Sequence, residues 1–109
     1  LLGHADGVLS ANFSTDGLYV VTSSRDHSAK IWSLAKRECA VTLVGHGAAA
    51  TWAQFFSDGL SVITVSNDCT ARVWSSASGC CKFTLRGQGD ELICAFPSSD
   101  DRFVLSTYG

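Results

Sequence analysis

Two sets of residues in this chain have the types that could do chemistry. They are His4, Thr22 and Asp26, and then His46, Thr64 and Asp68. A histidine, a carboxylate and a hydroxyl are the parts of a hydrolase triad, in which the imidazole takes the proton of an attacking hydroxyl and the carboxylate orients the ring. The surroundings argue against that use. Thr22 sits in Leu18–Ser23, a stretch apolar on both faces with no exposed elbow to present a nucleophile. The set also recurs, whereas an active site is normally needed once. A metal site fares no better, because His4 and His46 belong to different halves of the pattern. His27 stands beside Asp26 with no second ligand at helix or strand spacing.

The five cysteines, Cys39, Cys69, Cys80, Cys81 and Cys94, are odd in number, and no pair has the two-residue spacing of a zinc clamp. The adjacent Cys80-Cys81 suits neither a metal knuckle nor an easy disulfide. Small buried hydrophobes in a reducing compartment are the expectation. The glycines fall at turns and lack the helix that a phosphate cradle requires. No cofactor and no metal are therefore expected.

The elements that must position these residues follow from a repeat. Ser66-Asn67-Asp68-Cys69-Thr70-Ala71-Arg72-Val73-Trp74 has a near copy 42 residues earlier, Ser24-Arg25-Asp26-His27-Ser28-Ala29-Lys30-Ile31-Trp32. In both copies an Asp precedes a Trp by six residues, and a Gly-His pair, Gly3-His4 or Gly45-His46, lies 22 residues before that Asp. Residues 3–44 and 45–86 agree at 18 of 42 positions, so the period, and not one motif, decides the fold. Within the first unit, Val8–Phe13 reads as a strand closed by the turn residues Ser14-Thr15-Asp16-Gly17. Leu18–Ser23 reads as a strand packed from both sides. Arg25-Asp26-His27 is a tight turn, Ala29–Ser33 a third strand and Ala35-Lys36-Arg37 a solvated loop. Residues 39–43 alternate, which puts Cys39, Val41 and Leu43 on one face of an outer strand and Ala40 and Thr42 on the other.

The chain thus divides into the end of an outer strand (1–2), a unit at 3–44, a second at 45–86 and part of a third at 87–109. In the third, Gln88 replaces His, Phe96 stands one residue early and Asp100-Asp101 replaces Asp-Gly; register returns by Leu105-Ser106. Its 109 residues are 46% hydrophobic and 17% charged, which fits a packed chain and not a disordered one. A formal charge of -2 gives no reason to expect a nucleic-acid backbone or an anionic membrane as partner. No apolar run approaches a membrane span. Methionine is absent and the pattern is already running at residue 1, so a piece of a longer protein is expected.

Four short strands per unit, a 42-residue period, Gly-His at the front and a Trp closing the third strand resemble the WD40 repeat family. The resemblance implies an all-β fold of β-propeller blades, each a four-stranded antiparallel sheet, with two complete repeats and part of a third. Trp32-Ser33 and Trp74-Ser75 stand where the family's name implies Trp-Asp. The resemblance also implies two hydrogen-bonded tetrads: His4, Thr22, Asp26 and Trp32, and His46, Thr64, Asp68 and Trp74. An indole donor, a hydroxyl, a neutral imidazole and an acceptor-only carboxylate can be chained without leaving a polar group unpaired. A Trp donor would occupy the hydroxyl that a triad needs.

Such propellers mostly hold protein partners, so a non-catalytic interaction scaffold is expected, within the cell in cytoplasm or nucleus. Its partners would be other proteins or peptides and the remaining blades of the same propeller. The alternative is a docking or sensing segment of a larger multidomain enzyme or regulated ATPase. By family pattern the partner-facing positions are the third and fifth residues after the His and the residue before the Asp. They fall on Gly7, Leu9 and Arg25, on Ala49, Thr51 and Asn67, and on Glu91 and Ile93. Arg25 is the strongest anchor among them, since Arg is enriched at interfaces and a turn side chain has no core role. Trp52, on an inner strand, is expected to pack in the core, with a binding anchor near the channel mouth as the alternative.

Overall fold

The computed structural model describes residues 7–86, 92–97 and 103–108. Strands β1 (Val8–Phe13), β2 (Tyr19–Ser24), β3 (Ala29–Ser33) and β4 (Glu38–Leu43) form one antiparallel sheet in that order. Strands β5 (Ala50–Phe55), β6 (Ser61–Ser66), β7 (Thr70–Ser75) and β8 (Cys81–Arg86) form a second, and β9 (Leu92–Pro97) pairs with β10 (Phe103–Tyr108). The fold is all-β, with no helix among the described residues. The second strand begins at Tyr19, one residue later than expected, because Leu18 closes the Asp16-Gly17 turn by donating its N–H to Asp16 Oδ1 at 2.9 Å.

The sheets stack face to face. Ala29, Ile31 and Leu43 of the first pack with Phe55, Val62 and Trp74 of the second, all of them buried. On the other face of the second sheet, Ile63, Val65 and Val73 form a separate core with Phe56. Trp52 packs against that core, and its indole N–H also donates to Gln54 Oε1 at 3.3 Å. Alternation along β6 explains the division. Val62 and Thr64 point toward the first sheet and Ile63 and Val65 away, so the strand is apolar on both sides. The inner strands are also joined directly, since Asn12 Nδ2 donates to the Ala53 carbonyl at 2.8 Å.

The 42-residue period extends to the backbone. His27 and Cys69 take left-handed φ values of 76° and 69° in equivalent turns, and Gly17 and Gly59 take 73° and 70°. Bulges repeat too. The ladder between β1 and β2 skips Leu9, and that between β5 and β6 skips Thr51. The outer ladders skip Ala40 and Lys82. In the β9–β10 ladder every residue is paired, and Val104 faces Phe96 as Val62 faces Phe55. Phe96 is one residue early because the third inner strand lacks the bulge.

Two expectations for the cysteines need correction. The bulge at Ala40 inverts the alternation beyond it. Cys39 therefore turns to the side of Thr42, with Sγ 3.7 Å from Thr42 Oγ1, and not to the side of Val41 and Leu43. Lys82 does the same to Cys81, whose Sγ lies 3.8 Å from Thr84 Oγ1. Second, these cysteines are not buried hydrophobes. Cys39, Cys80 and Cys81 are exposed and Cys69 is half-buried, because the outer strands have only one neighbouring strand and the 69 position is a turn. The side chain of Cys94 lies outside the described residues.

Candidate functional site

The second sheet gathers His46, Thr64, Asp68 and Trp74 into one connected network. Trp74 is held by β7 and Thr64 by the neighbouring β6, and the indole N–H donates to Thr64 Oγ1 at 2.8 Å. His46 comes from the link before β5. Its Nε2 lies 2.7 Å from Thr64 Oγ1, and its Nδ1 lies 3.1 Å from Asp68 Oδ2. Residue chemistry fixes the direction at the two ends of the chain. The indole can only donate and the carboxylate only accept. Thr64 Oγ1 therefore accepts from Trp74, and His46 Nδ1–H donates to Asp68. A neutral imidazole with its proton on Nδ1 leaves Nε2 to accept the Thr64 hydroxyl.

Electrostatics agree. Burial of His46 holds its pKa below the ordinary value of 6.5, outweighing the nearby Asp68 carboxylate, which raises it. At Asp68, burial acts to raise the pKa, but hydrogen bonds from the Thr70 hydroxyl, the Gly47 N–H and His46 outweigh it. They hold the carboxyl well below the usual carboxylate range. The Gly47 bond measures 2.9 Å. Asp68 therefore ties the turn before β7 to the link before β5.

Spacing alone did not bring out several members of this site. Thr70 donates to Asp68 Oδ1 through its hydroxyl, and its backbone N–H reaches the same oxygen at 3.0 Å. Ser66 Oγ accepts the Asp68 N–H at 3.1 Å and donates to the Ala48 carbonyl at 3.1 Å. The first sheet repeats the arrangement. Ser28 Oγ–H donates to Asp26 Oδ1 at 2.6 Å, and Ser24 Oγ accepts from the Asp26 N–H and donates to the Gly7 carbonyl. A signal was present: a hydroxyl stands two residues on either side of the Asp in both units, the pattern of side chains that bond their own turn. In this first sheet Trp32 Nε1 donates to Thr22 Oγ1 at 2.8 Å. His4 lies outside the described residues.

Gly45 also has a packing reason. A Cβ there would stand 3.2 Å from the edge of the Trp74 ring and 3.1 Å from the Arg72 guanidinium. The glycine of the Gly-His pair lets the link lie against the tryptophan.

The family model described as "WD domain, G-beta repeat" matches residues 1–33 and 37–75. The chain belongs to the WD40 repeat family. A search of curated proteins gives no match to it. The matched WD40 segments do not coincide with the sheets. Residues 37–75 take in β4 of the first sheet together with β5, β6 and β7 of the second. WD40 repeats generally mediate contacts between proteins, and their fold is typically a non-catalytic scaffold.

The wiring from Thr64 through His46 to Asp68 has the order of a hydrolase triad. What differs is access. Thr64 is wholly buried, and its oxygen already accepts the Trp74 indole. A nucleophile must reach substrate, and this one is covered by packed side chains.

Of the positions expected to face a partner, Gly7, Arg25, Ala49 and Asn67 lie at one end of the sheets. The Arg25 N–H donates to the Gly7 carbonyl at 2.9 Å, and the Asn67 N–H to the Ala49 carbonyl at 3.0 Å. Arg25 and Asn67 are exposed. Leu9 and Thr51 are the bulge residues, which frees them from the ladder. Leu9 is 39% exposed, whereas the Thr51 hydroxyl donates to the Val65 carbonyl at 3.2 Å. Ile93 pairs with Thr107, the register of Trp52 with Val65, so it is not the counterpart of Thr51. Glu91 lies outside the described residues. Lys36, in the turn between β3 and β4, is at the opposite end.

Proposed function

We propose that these WD40 repeats belong to a β-propeller that serves as a protein-interaction scaffold inside the cell, and that it docks protein or peptide partners on the end carrying Arg25 and Asn67. The observation that carries this reading is the locking of that end. Asp68 binds both its own turn and the Gly47 N–H, so the two loops on which Ala49 and Asn67 stand are held at fixed spacing. A surface organised before a partner arrives loses less freedom on binding. The exposed residues there mix a cation, an amide and an aliphatic, a composition that suits a polypeptide better than a phosphate backbone. The free thiols at Cys39, Cys69, Cys80 and Cys81 fit a reducing compartment.

The test compares partners recovered by pull-down on the full-length protein. Arg25→Ala is expected to leave the fold intact and weaken the main partner by at least about 1 kcal/mol. Lys36→Ala, at the other end, serves as the control. Loss of binding with Lys36→Ala and none with Arg25→Ala would place the docking surface elsewhere.

A further inference from the structure

A cavity of about 370 Å³ opens between the two sheets at the end away from Arg25. Its volume is in the range of pockets that hold small ligands or side chains, roughly 300–1,000 Å³. Its apolar lining includes Ile31, Ala40 and Val41 of the first sheet and Phe55 of the second, together with Ala77 and with Tyr19, itself 39% exposed. Two carboxylates, Asp16 and Asp58, join them from equivalent turns of the two units. No Lys, Arg or His is among the described residues that line it.

Both carboxylates are held in place with an oxygen to spare. Asp16 Oδ1 accepts the Ser14 hydroxyl and the Leu18 N–H, and Asp58 Oδ1 accepts the Leu60 N–H at 2.9 Å. No other described residue donates to Oδ2 of either. Phe56 stands where Ser14 stood, so Asp58 has one donor fewer. The Ser14 hydroxyl and the Leu18 N–H keep the Asp16 carboxyl below its ordinary range, and it is charged at neutral pH.

We propose that this inter-sheet cavity receives an arginine side chain from a protein partner. An arginine has an apolar three-carbon stem for the Ile31, Val41 and Phe55 floor. It carries a planar fork that can stack on Tyr19 and bond the open oxygens of Asp16 and Asp58. A phosphate or an acidic peptide would meet two acidic side chains there and no cation among the described lining residues. An uncharged apolar side chain would fill the floor and leave the carboxylates unanswered. The site is separate from the end carrying Arg25, so failure of either surface leaves the other standing.

The test is a titration of the full-length protein with Nα-acetyl-arginine methylamide, followed by the methyl resonances of Ile31 and Val41. Saturable shifts are expected with arginine and none with the isosteric, uncharged citrulline compound. Asp58→Asn should weaken binding at least roughly tenfold, and Asp16→Asn with Asp58→Asn should abolish it. Asparagine suits the same turns, and unchanged methyl shifts of Val21 and Val62 would show that the fold persists. The single Asp58→Asn variant decides the matter if the double variant fails to fold. Equal shifts with citrulline, no saturable shift with arginine, or an affinity unchanged in Asp58→Asn would each overturn the proposal.

Discussion

Thr64 is the residue on which the second network depends, because its wholly buried hydroxyl joins the Trp74 indole to the His46 ring. Thr64→Val keeps the shape and removes the hydroxyl. The Trp74 indole N–H and His46 Nε2 then lose their partner inside the protein, at about 1–3 kcal/mol for each buried group left unsatisfied. The expected loss of at least about 2 kcal/mol is to be read from equilibrium denaturation. Ser78→Ala, at an exposed loop position, should stay within about 0.5 kcal/mol of the parent. Equal midpoints for the two variants would mean that the hydrogen bonds contribute nothing.

The same residues set a pH dependence. His46 has its pKa lowered on folding, so the unfolded chain binds the proton more readily. Its contribution is fully present above 6.5 and is lost as pH falls below that value toward the folded pKa. Asp68 has the same sign lower down, with its contribution present above 3.8 and lost as acid protonates it. The urea midpoint should therefore fall between about pH 7.5 and about pH 5.5, and His46→Asn should flatten that fall. An unchanged slope in His46→Asn would sink the account of His46 as a buried neutral imidazole.

Among the elements, the turn between β7 and β8 shows best what one sheet demands of the next. Gly79 has φ +77°, and a Cβ on it would lie 2.8 Å from Val41 Cγ1 of the neighbouring sheet. Arg37 occupies the equivalent place in the first unit and also has positive φ, at 54°. The two positions share a backbone conformation and differ in their surroundings. Gly79→Ala therefore meets both the left-handed strain and the Val41 contact, and a loss of about 1–3 kcal/mol is expected in thermal or urea unfolding. Arg37→Gly removes strain at an exposed site and should change stability little or raise it. If Gly79→Ala were neutral, the sheets would have to be free to shift apart at Val41.

Most of the strands could be read in advance because their signals are local. Val8–Phe13 and Ala29–Ser33 match β1 and β3 in full. The bulges could not be read that way, because an unpaired residue is a property of two strands and not of one. Leu9 and Thr51 look like any other strand residue until their partners skip them. Strict alternation puts Cys39 on the wrong face for that reason, since without the partner strand it has no means of showing the slip at Ala40. The site divides similarly. His, Thr, Asp and Trp stood out by type and spacing, while Ser24, Ser28, Ser66 and Thr70 passed as ordinary small strand and turn residues.

For the molecule as a whole, burial is distributed between sheets more than within them. Trp74, Val62 and Phe55 are covered by the neighbouring sheet, whereas Phe13 in the first sheet is 69% exposed and Val8 46%. A chain of these 109 residues alone should therefore self-associate or melt with low cooperativity. Sedimentation and thermal unfolding of that polypeptide check this, and a monomer with a sharp transition above about 50 °C would count against it.

The offset between family segment and sheet has a further consequence, for how such a chain can lengthen. Among the described residues, 42-residue stretches contain four strands whatever their starting point, and β4, the outer strand of the first sheet, leads directly to β5, the inner strand of the second. Suppose a copying error duplicates or deletes one such stretch with its ends anywhere in the period. Each sheet still finds one inner, two middle and one outer strand, since whatever the cut removes from one sheet the next segment restores. A genome can thus add or drop a sheet without a break at a particular codon, and the protein meets the change as a difference in sheet number alone.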